Sequence, residues 1–294
     1  MGDHFIITSI GKERRLWFMA TTSRFGLSKL RCLVPSKFKN EIGDNPLLVG
    51  QDVPSGDLGI FGERNDMIRY GLFRGRFEHI WRYVEASKRP LGLVADIGCG
   101  TGYGPVLLGE SNSVIGIDVS RNALGYALRK YPGPEYVQGS AISLPFRNSA
   151  FDAVTAFEVI EHLEQYKRLL EEAHRILKVG GMLFISSPNP AHLVNLLRNR
   201  ICGTPIPEKN SGNLYHIHEL PHQEMRCLLD SCGFEVIWEK GIGFPISFPG
   251  VSELGYGFLP WFGLGDRLGY VLSRLGEKFP RISFSVVYAA KRKG

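Results

Sequence analysis

Val94-Ala95-Asp96-Ile97-Gly98-Cys99-Gly100-Thr101-Gly102-Tyr103-Gly104 is the stretch that decides how this chain is read. An apolar run, Leu93 to Ala95, leads into Asp96. Glycines alternate at 98, 100 and 102, and a helix-forming run follows from Tyr103 to Leu108. That order spells strand, tight turn and helix, the place where an open α/β sheet receives a nucleotide-like ligand. The glycine spacing narrows the ligand. A dinucleotide fingerprint needs its third glycine three residues after the second, and that position is Tyr103. Asp96, two residues before the first glycine, repels phosphate and favours a ligand carrying positive charge.

Downstream segments continue the alternation. Val114-Ile-Gly-Ile-Asp118 is a short apolar run ending in an acid, 22 residues after Asp96, where a carboxylate can hold two ribose hydroxyls. Glu135 to Ser140 and Phe151 to Phe157 read as a third and a fourth strand. Gly180-Gly181 are expected to close a helix and start a fifth, since glycine past a helix end permits the left-handed turn needed there. Gln223 to Cys232 reads as an amphipathic helix ended by Gly233, Phe234 to Trp238 as a strand, and Arg281 to Tyr288 as the last strand.

Asp96-Ile-Gly-Cys-Gly-Thr-Gly102 resembles the first motif of the class I methyltransferases that use S-adenosylmethionine. The later blocks resemble that family in order and spacing, well from Ile68 to Ser187 and loosely beyond. The cofactor has no phosphate and carries an ammonium and a sulfonium, so a carboxylate beside bare backbone suits it. The resemblance implies a doubly wound, mostly parallel seven-stranded sheet with its last strand antiparallel, a helical N-terminal lid and an insertion after the fifth strand. It also implies a cofactor site built from Asp96, Gly98, Gly100, Gly102, Asp118, Val119, Ser140, Ala141, Phe157 and Glu158. One departure stands out. Where the family usually has an acid for the adenine amino group, this chain has Ser140, whose hydroxyl is a weaker acceptor.

Residues 1–62 read as a basic, partly looped extension and 63–294 as the methyltransferase domain. Within that domain, 91–187 form the cofactor half, 188–220 an acceptor-side insertion and 241–280 an aromatic, Gly/Pro-rich loop. From Glu63 to Ala86, apolar residues recur at helical spacing, and two helices broken near Gly75 are expected. There Trp81 and Tyr83 either belong to the lid or pack on the sheet. The formal charge is +6, and residues 1–40 alone hold eight Lys or Arg against Asp3 and Glu13. A solvated extension is favoured over a nucleic-acid or anionic membrane contact, because no nucleic-acid module is visible. The 241–280 aromatics leave three readings: a satellite hydrophobic cluster, the lining of an acceptor pocket, or peripheral contact with a membrane. Five cysteines without a Cys-x-x-Cys pair suggest a reducing compartment, and Cys227 and Cys232 are expected inside the helix core. No apolar run reaches the ~18 residues of a membrane span. The N-terminus is too short and wrongly flanked for a secretory signal, so a cytoplasmic location is expected.

Methyl transfer from a sulfonium is an in-line displacement with a neutral leaving thioether. Catalysis then rests on alignment, with a proton to remove when the acceptor is oxygen or nitrogen. The candidates are Glu161 and His162 after the fourth strand and His216 and His218 in the insertion. Glu158 and His162, four apart, would share one face of a helix. A small-molecule acceptor is expected: a glycan, a quinone-like or a lipid-linked compound. No metal and no specific nucleic acid are expected. A second reading rests on resemblance to enzymes that 2′-O-methylate the 3′ end of small RNAs, which would make Glu158, Glu161, His162 and His216 metal ligands. A third is a regulatory protein that binds the cofactor without catalysis.

Overall fold

The computed structural model describes residues 4–11, 14–21, 67–206, 216–242 and 276–294, with side chains from Arg76 onward within those ranges. The strands are β1 (His4–Gly11), β2 (Arg14–Thr21), β3 (Leu93–Ile97), β4 (Ser113–Asp118), β5 (Glu135–Gln138), β6 (Phe151–Phe157), β7 (Leu177–Pro188), β8 (Phe234–Ile242) and β9 (Ser285–Arg292). The helices are α1 (Met67–Ser87), α2 (Tyr103–Leu108), α3 (Arg121–Lys130), α4 (Tyr166–Ile176), α5 (Leu193–Cys202) and α6 (His222–Ser231). All nine strands form one sheet in the order β1-β2-β5-β4-β3-β6-β7-β9-β8.

The seven strands from β5 to β8 are the doubly wound sheet expected from the sequence. β3 pairs in parallel with β4 and β6, and β9 runs antiparallel between β7 and β8. Chain order reverses around β3, so the crevice beyond the carboxyl ends of β3 and β6 is the switch point where such sheets take ligands. The hairpin β1–β2 was not foreseen. β2 pairs antiparallel with β5, through Trp17↔Gln138 to Met19↔Tyr136, and extends the sheet by two strands into what read as a basic extension.

Apolar side chains cover both faces. On one face, Leu169, Leu170, Ala173 and Ile176 of α4 and Met225, Leu228 and Leu229 of α6 pack on Ile97, Val154 and Ile185. Each large aliphatic buried this way contributes about 1.5–3 kcal/mol. On the other face, Phe77 and Ile80 of α1 pack with Phe157, Phe184 and Val287, while Leu124 and Leu128 of α3 meet Tyr136.

Several expectations are corrected. α1 is one helix through Gly75, not two. A helical glycine costs about 1 kcal/mol, which burial of Phe77 and Ile80 outweighs. Tyr83 packs on the sheet, edge-on to Phe184 at 5.6 Å. Gly180-Gly181 lie inside β7: Phe151 pairs with Leu177 but Ala153 with Met182, and Gly180 at φ 77 forms the intervening bulge. The last strand starts at Ser285, after a 3-10 turn at Pro280–Ile282, because the N–H groups of Ile282 and Ser283 donate back to Phe279 O and Pro280 O instead of to a neighbouring strand. Cys227 is exposed and Cys232 half-buried, so neither is a core thiol. The side chains of the basic segment, the loop at 208–213 and most of the aromatic loop lie outside the described residues.

Candidate functional site

The glycine turn is built for close approach. Gly98, Gly100 and Gly102 have φ of 71°, 52° and 86°, the left-handed region that side chains rarely adopt. The N–H groups of Gly98 and Cys99 donate to Ile117 O at 2.7 and 3.0 Å, tying the turn to β4. A Cβ on Gly98 would lie 2.4 Å from Val159 Cγ2, so the loop after β6 is packed directly on the turn. A Cβ on Gly100 would meet nothing within 4 Å, which makes that position a bare, open cradle.

Asp118 closes the cradle at the end of β4. Its Oδ2 accepts from Gly100 N and its Oδ1 from Ser120 N, both at 2.8 Å. Burial raises its pKa, while N–H groups of Ser120, Gly100 and Val119 oppose the rise. Each oxygen keeps lone-pair capacity for a hydroxyl donor. Beside it, Val119 is 72% exposed, an uncovered apolar side chain at a strand end. Gln138 Nε2 donates to Val119 O at 2.9 Å, while its buried Oε1 has no partner among the described residues. Ser140 is exposed just beyond β5, and Ala141 is half-buried next to it. A bare cradle, a half-satisfied carboxylate, an exposed valine and an orphaned acceptor fit an adenosine-bearing ligand.

Asp96 is buried beneath the turn, 2.5 Å from where a Cβ on Gly104 would be. Burial lifts its carboxyl to about 7. The Thr155 hydroxyl, which donates to Oδ1 at 2.5 Å, works against that shift, and the nearby Asp118 charge adds to it.

The loop after β6 separates residues that the sequence placed together. Glu158 has φ 54°, a strained value for a residue with a side chain, and only a 3-10 turn follows at Ile160–His162. Glu158 and His162 therefore do not share a helical face. Glu158 Oε1 accepts from Ser186 Oγ at 2.8 Å and Ser285 Oγ at 3.0 Å, and pairs with Arg76 Nη2 at 3.0 Å. The four-ligand set of Glu158, Glu161, His162 and His216 is accordingly not assembled. The Phe157 side chain sits in the core, edge-on to Phe77 at 5.1 Å.

Glu161, His162 and His216 do converge. One ligating atom from each lies within 4.8 Å of the others. The two segments are bolted together by backbone: Glu161 O accepts from Ile217 N at 2.8 Å and His218 N at 3.2 Å. The rings of His162 and His216 meet edge to face at 4.9 Å. His216 Nδ1 lies 2.5 Å from Oε1 of the buried Glu219. The Glu161 carboxyl is 1% exposed, and neither oxygen has a hydrogen-bond partner among the described residues. Burial pushes its pKa well up and the charges of Glu158 and Glu219 add to this, against the pull of its own backbone N–H and of the Arg76 charge. His218 stands apart, exposed and edge-on to Tyr166 at 5.6 Å.

Sequence reasoning placed Glu219 in the second cluster, His216 to Glu219, without giving it a role. It missed Arg76, which carried no local signal because its partner lies 82 residues away.

Comparison with known proteins agrees with the geometry. The family profile described as "Methyltransferase domain" matches residues 95–185. A Mycobacterium tuberculosis protein named "Probable S-adenosylmethionine-dependent methyltransferase" is 31% identical over 206 residues, 68% of this chain and 70% of that one. A similarly named protein of Mycolicibacterium smegmatis is 33% identical over 144 residues, 49% of this chain and 52% of its own length, so this chain spans about half of it. A demethylmenaquinone methyltransferase of Lysinibacillus sphaericus is 36% identical over 130 residues, 42% of this chain and 55% of that one. Among solved structures, the magnesium protoporphyrin IX methyltransferase of Synechocystis PCC 6803 with bound SAH superposes with a TM-score of 0.52 at 18% identity. The match covers 80% of this chain and 91% of that one, a likeness of fold.

Proposed function

Because this chain belongs to the S-adenosylmethionine-dependent methyltransferases, we propose that it methylates a small-molecule acceptor held between the glycine turn and the Glu161–His162–His216 cluster. S-adenosylmethionine, when bound, supplies the methyl group, and the electrons of the breaking carbon–sulfur bond leave with a neutral thioether. The chain's own work is to seat, orient and handle a proton. Asp118 takes the ribose hydroxyls on the lone pairs that Gly100 and Ser120 leave open. Val119, Ser140 and Ala141 border the adenine. Gly98, Gly100 and Gly102 let the amino-acid end lie against bare backbone, and Asp96 beneath them supplies negative charge. Phe157 and Glu158 shape the end of β6 through their backbone.

One observation carries the acceptor side. Val159 touches the glycine turn, and two residues later Glu161 begins a polar cluster at the sheet's carboxyl edge. An acceptor oxygen or nitrogen between them would be in line with the methyl group and within reach of groups that manage its proton. The demethylmenaquinone methyltransferase among the relatives makes a quinone-like acceptor the first to try. The test is calorimetry with S-adenosylhomocysteine, followed by an assay of its release from S-adenosylmethionine over a panel of quinols, glycosides and lipid-linked sugars. Binding of the homocysteine product and turnover with at least one small acceptor are expected. Binding of NADH instead, or turnover only with RNA, would overturn the reading.

A further inference from the structure

We infer that Glu161, His162 and His216 form a site for one divalent transition-metal ion, and that the acceptor is an oxygen nucleophile bound to that ion. The sequence reading expects no metal and holds a four-residue metal set as its alternative; the geometry brings three of those four together. The inference rests on the proposed methyl transfer at this same site.

Three observations carry it. The first is convergence: one carboxylate oxygen and two imidazole nitrogens lie within 4.8 Å of one another. Bonds of ~2.0–2.2 Å to a common ion put donors ~3.4 Å apart in a tetrahedron, a contraction that side-chain rotation supplies. The second is the state of Glu161. Its side chain is buried, and neither oxygen has a hydrogen-bond partner among the described residues. A buried carboxyl with only its own backbone N–H and the Arg76 charge at hand is costly, and natural proteins keep such groups where a cation or ligand completes them. The third is the support behind His216. Its Nδ1 lies 2.5 Å from the carboxylate of buried Glu219, the carboxylate–histidine arrangement that fixes the ring and turns Nε2 outward to a metal. The backbone bonds from Ile217 and His218 to Glu161 O hold the two segments in register, so the donors are preorganised.

The donor set selects the ion. Two imidazoles and one carboxylate suit Zn²⁺, Co²⁺, Fe²⁺ or Mn²⁺ better than the all-oxygen preference of Mg²⁺. Glu158 is not among the converging donors, and its Oε1 is held by Arg76, Ser186 and Ser285. Three protein ligands leave coordination positions open. His162 and His216 are only half-buried, so the cluster can be reached from outside. A hydroxyl bound there loses its proton to solvent at lower pH than in water. The resulting oxyanion attacks the methyl carbon, the carbon–oxygen bond forms as the carbon–sulfur bond breaks, and the products are a methyl ether, S-adenosylhomocysteine and one proton.

The experiment uses the full chain stripped with chelator, titrated with Mn²⁺ by electron paramagnetic resonance and with Co²⁺ by visible absorption. One ion per chain is expected, with a Co²⁺ spectrum unlike that of the hydrated ion. Glu161→Gln and His216→Asn should each weaken binding at least tenfold. Glu219→Gln should weaken it about 10- to 100-fold without removing a ligand. Affinity for S-adenosylhomocysteine is measured in every sample. A native chain that binds the cofactor product but shows only hydrated Co²⁺, or binds ions as well as Glu161→Gln does, overturns the metal inference and leaves methyl transfer standing. Metal binding without any affinity for S-adenosylhomocysteine would overturn the methyltransferase reading instead. Should Glu161→Gln fail to fold, the native Co²⁺ spectrum alone decides.

Discussion

Removing the Asp118 carboxylate should damage cofactor binding more than it damages the fold. The two oxygens are held by Gly100 N and Ser120 N at 2.8 Å each, so the carboxylate is fixed before any ligand arrives. It does not have to be ordered on binding. Two ribose hydroxyls then find acceptors already in place. A hydrogen bond to a charged group is worth about 1.5–3 kcal/mol, so losing one or both in Asp118→Ala predicts roughly 10- to 10,000-fold weaker binding of S-adenosylhomocysteine. Asp118→Asn keeps one acceptor oxygen and should fall between native and alanine. The free protein also loses acceptors for two backbone N–H groups. Those bonds are only partly buried and water can replace the lost acceptor, so the melting temperature should drop by no more than a few degrees. Isothermal titration calorimetry at constant salt reads the affinity, and circular dichroism reads the melting. An affinity for Asp118→Ala within twofold of native, in a folded protein, would refute the assignment.

Four further outcomes follow from the same structure. Asp96 is raised from 3.8 to about 7 in the folded chain, so the folded state binds its proton more tightly than the unfolded state does. Its effect on the free protein is a stability loss that grows as pH rises from about 4 to 7, and a cation-bearing cofactor should expel the proton. Calorimetry near pH 6.5 in buffers of different ionisation enthalpy should show fractional proton release that Asp96→Asn abolishes. At Glu158, φ 54° is strained for any side chain, so Glu158→Gly should be more stable than Glu158→Ala by about 1 kcal/mol in urea melts, and equal stabilities would contradict the strain. Leu170→Ala, fully buried between α4 and the sheet, should cost about 2–5 kcal/mol by denaturant unfolding with cofactor affinity retained in the folded fraction. A filter-binding titration with short RNA at physiological salt should give no submicromolar affinity, whereas steep salt dependence would mark phosphate contacts.

The cofactor half was legible because each signal there is local. The apolar run through Asp96, the run ending in Asp118 and the run from Glu135 are strands, the last stopping at Gln138, two residues short of the expected Ser140, and their ends face the switch-point crevice. The glycines at 98, 100 and 102 announce a turn that the left-handed φ values bear out. The acceptor side was legible only as composition. Glu161, His162 and His216 could be named, but their convergence depends on two backbone bonds across the insertion, and Glu158 leaves the group because of a φ value that no spacing encodes. The hairpin was missed for another reason. Phe5-Ile6-Ile7 and Leu16-Trp17-Phe18-Met19 flank a short polar turn, a strand signal obscured by the charge of the surrounding segment.

The carboxylate oxygen of Glu158 has a mechanical consequence. That one atom is the meeting point of α1 through Arg76, β7 through Ser186 and β9 through Ser285, and it stands at the exit of β6. It works like a latch pin with three catches. If α1 lifts away from the sheet, the arginine lets go, yet the oxygen still rests on two hydroxyls and is never stranded. Losing the arginine would therefore leave the strands beneath in register, while α1 itself stays seated by its buried Phe77 and Ile80.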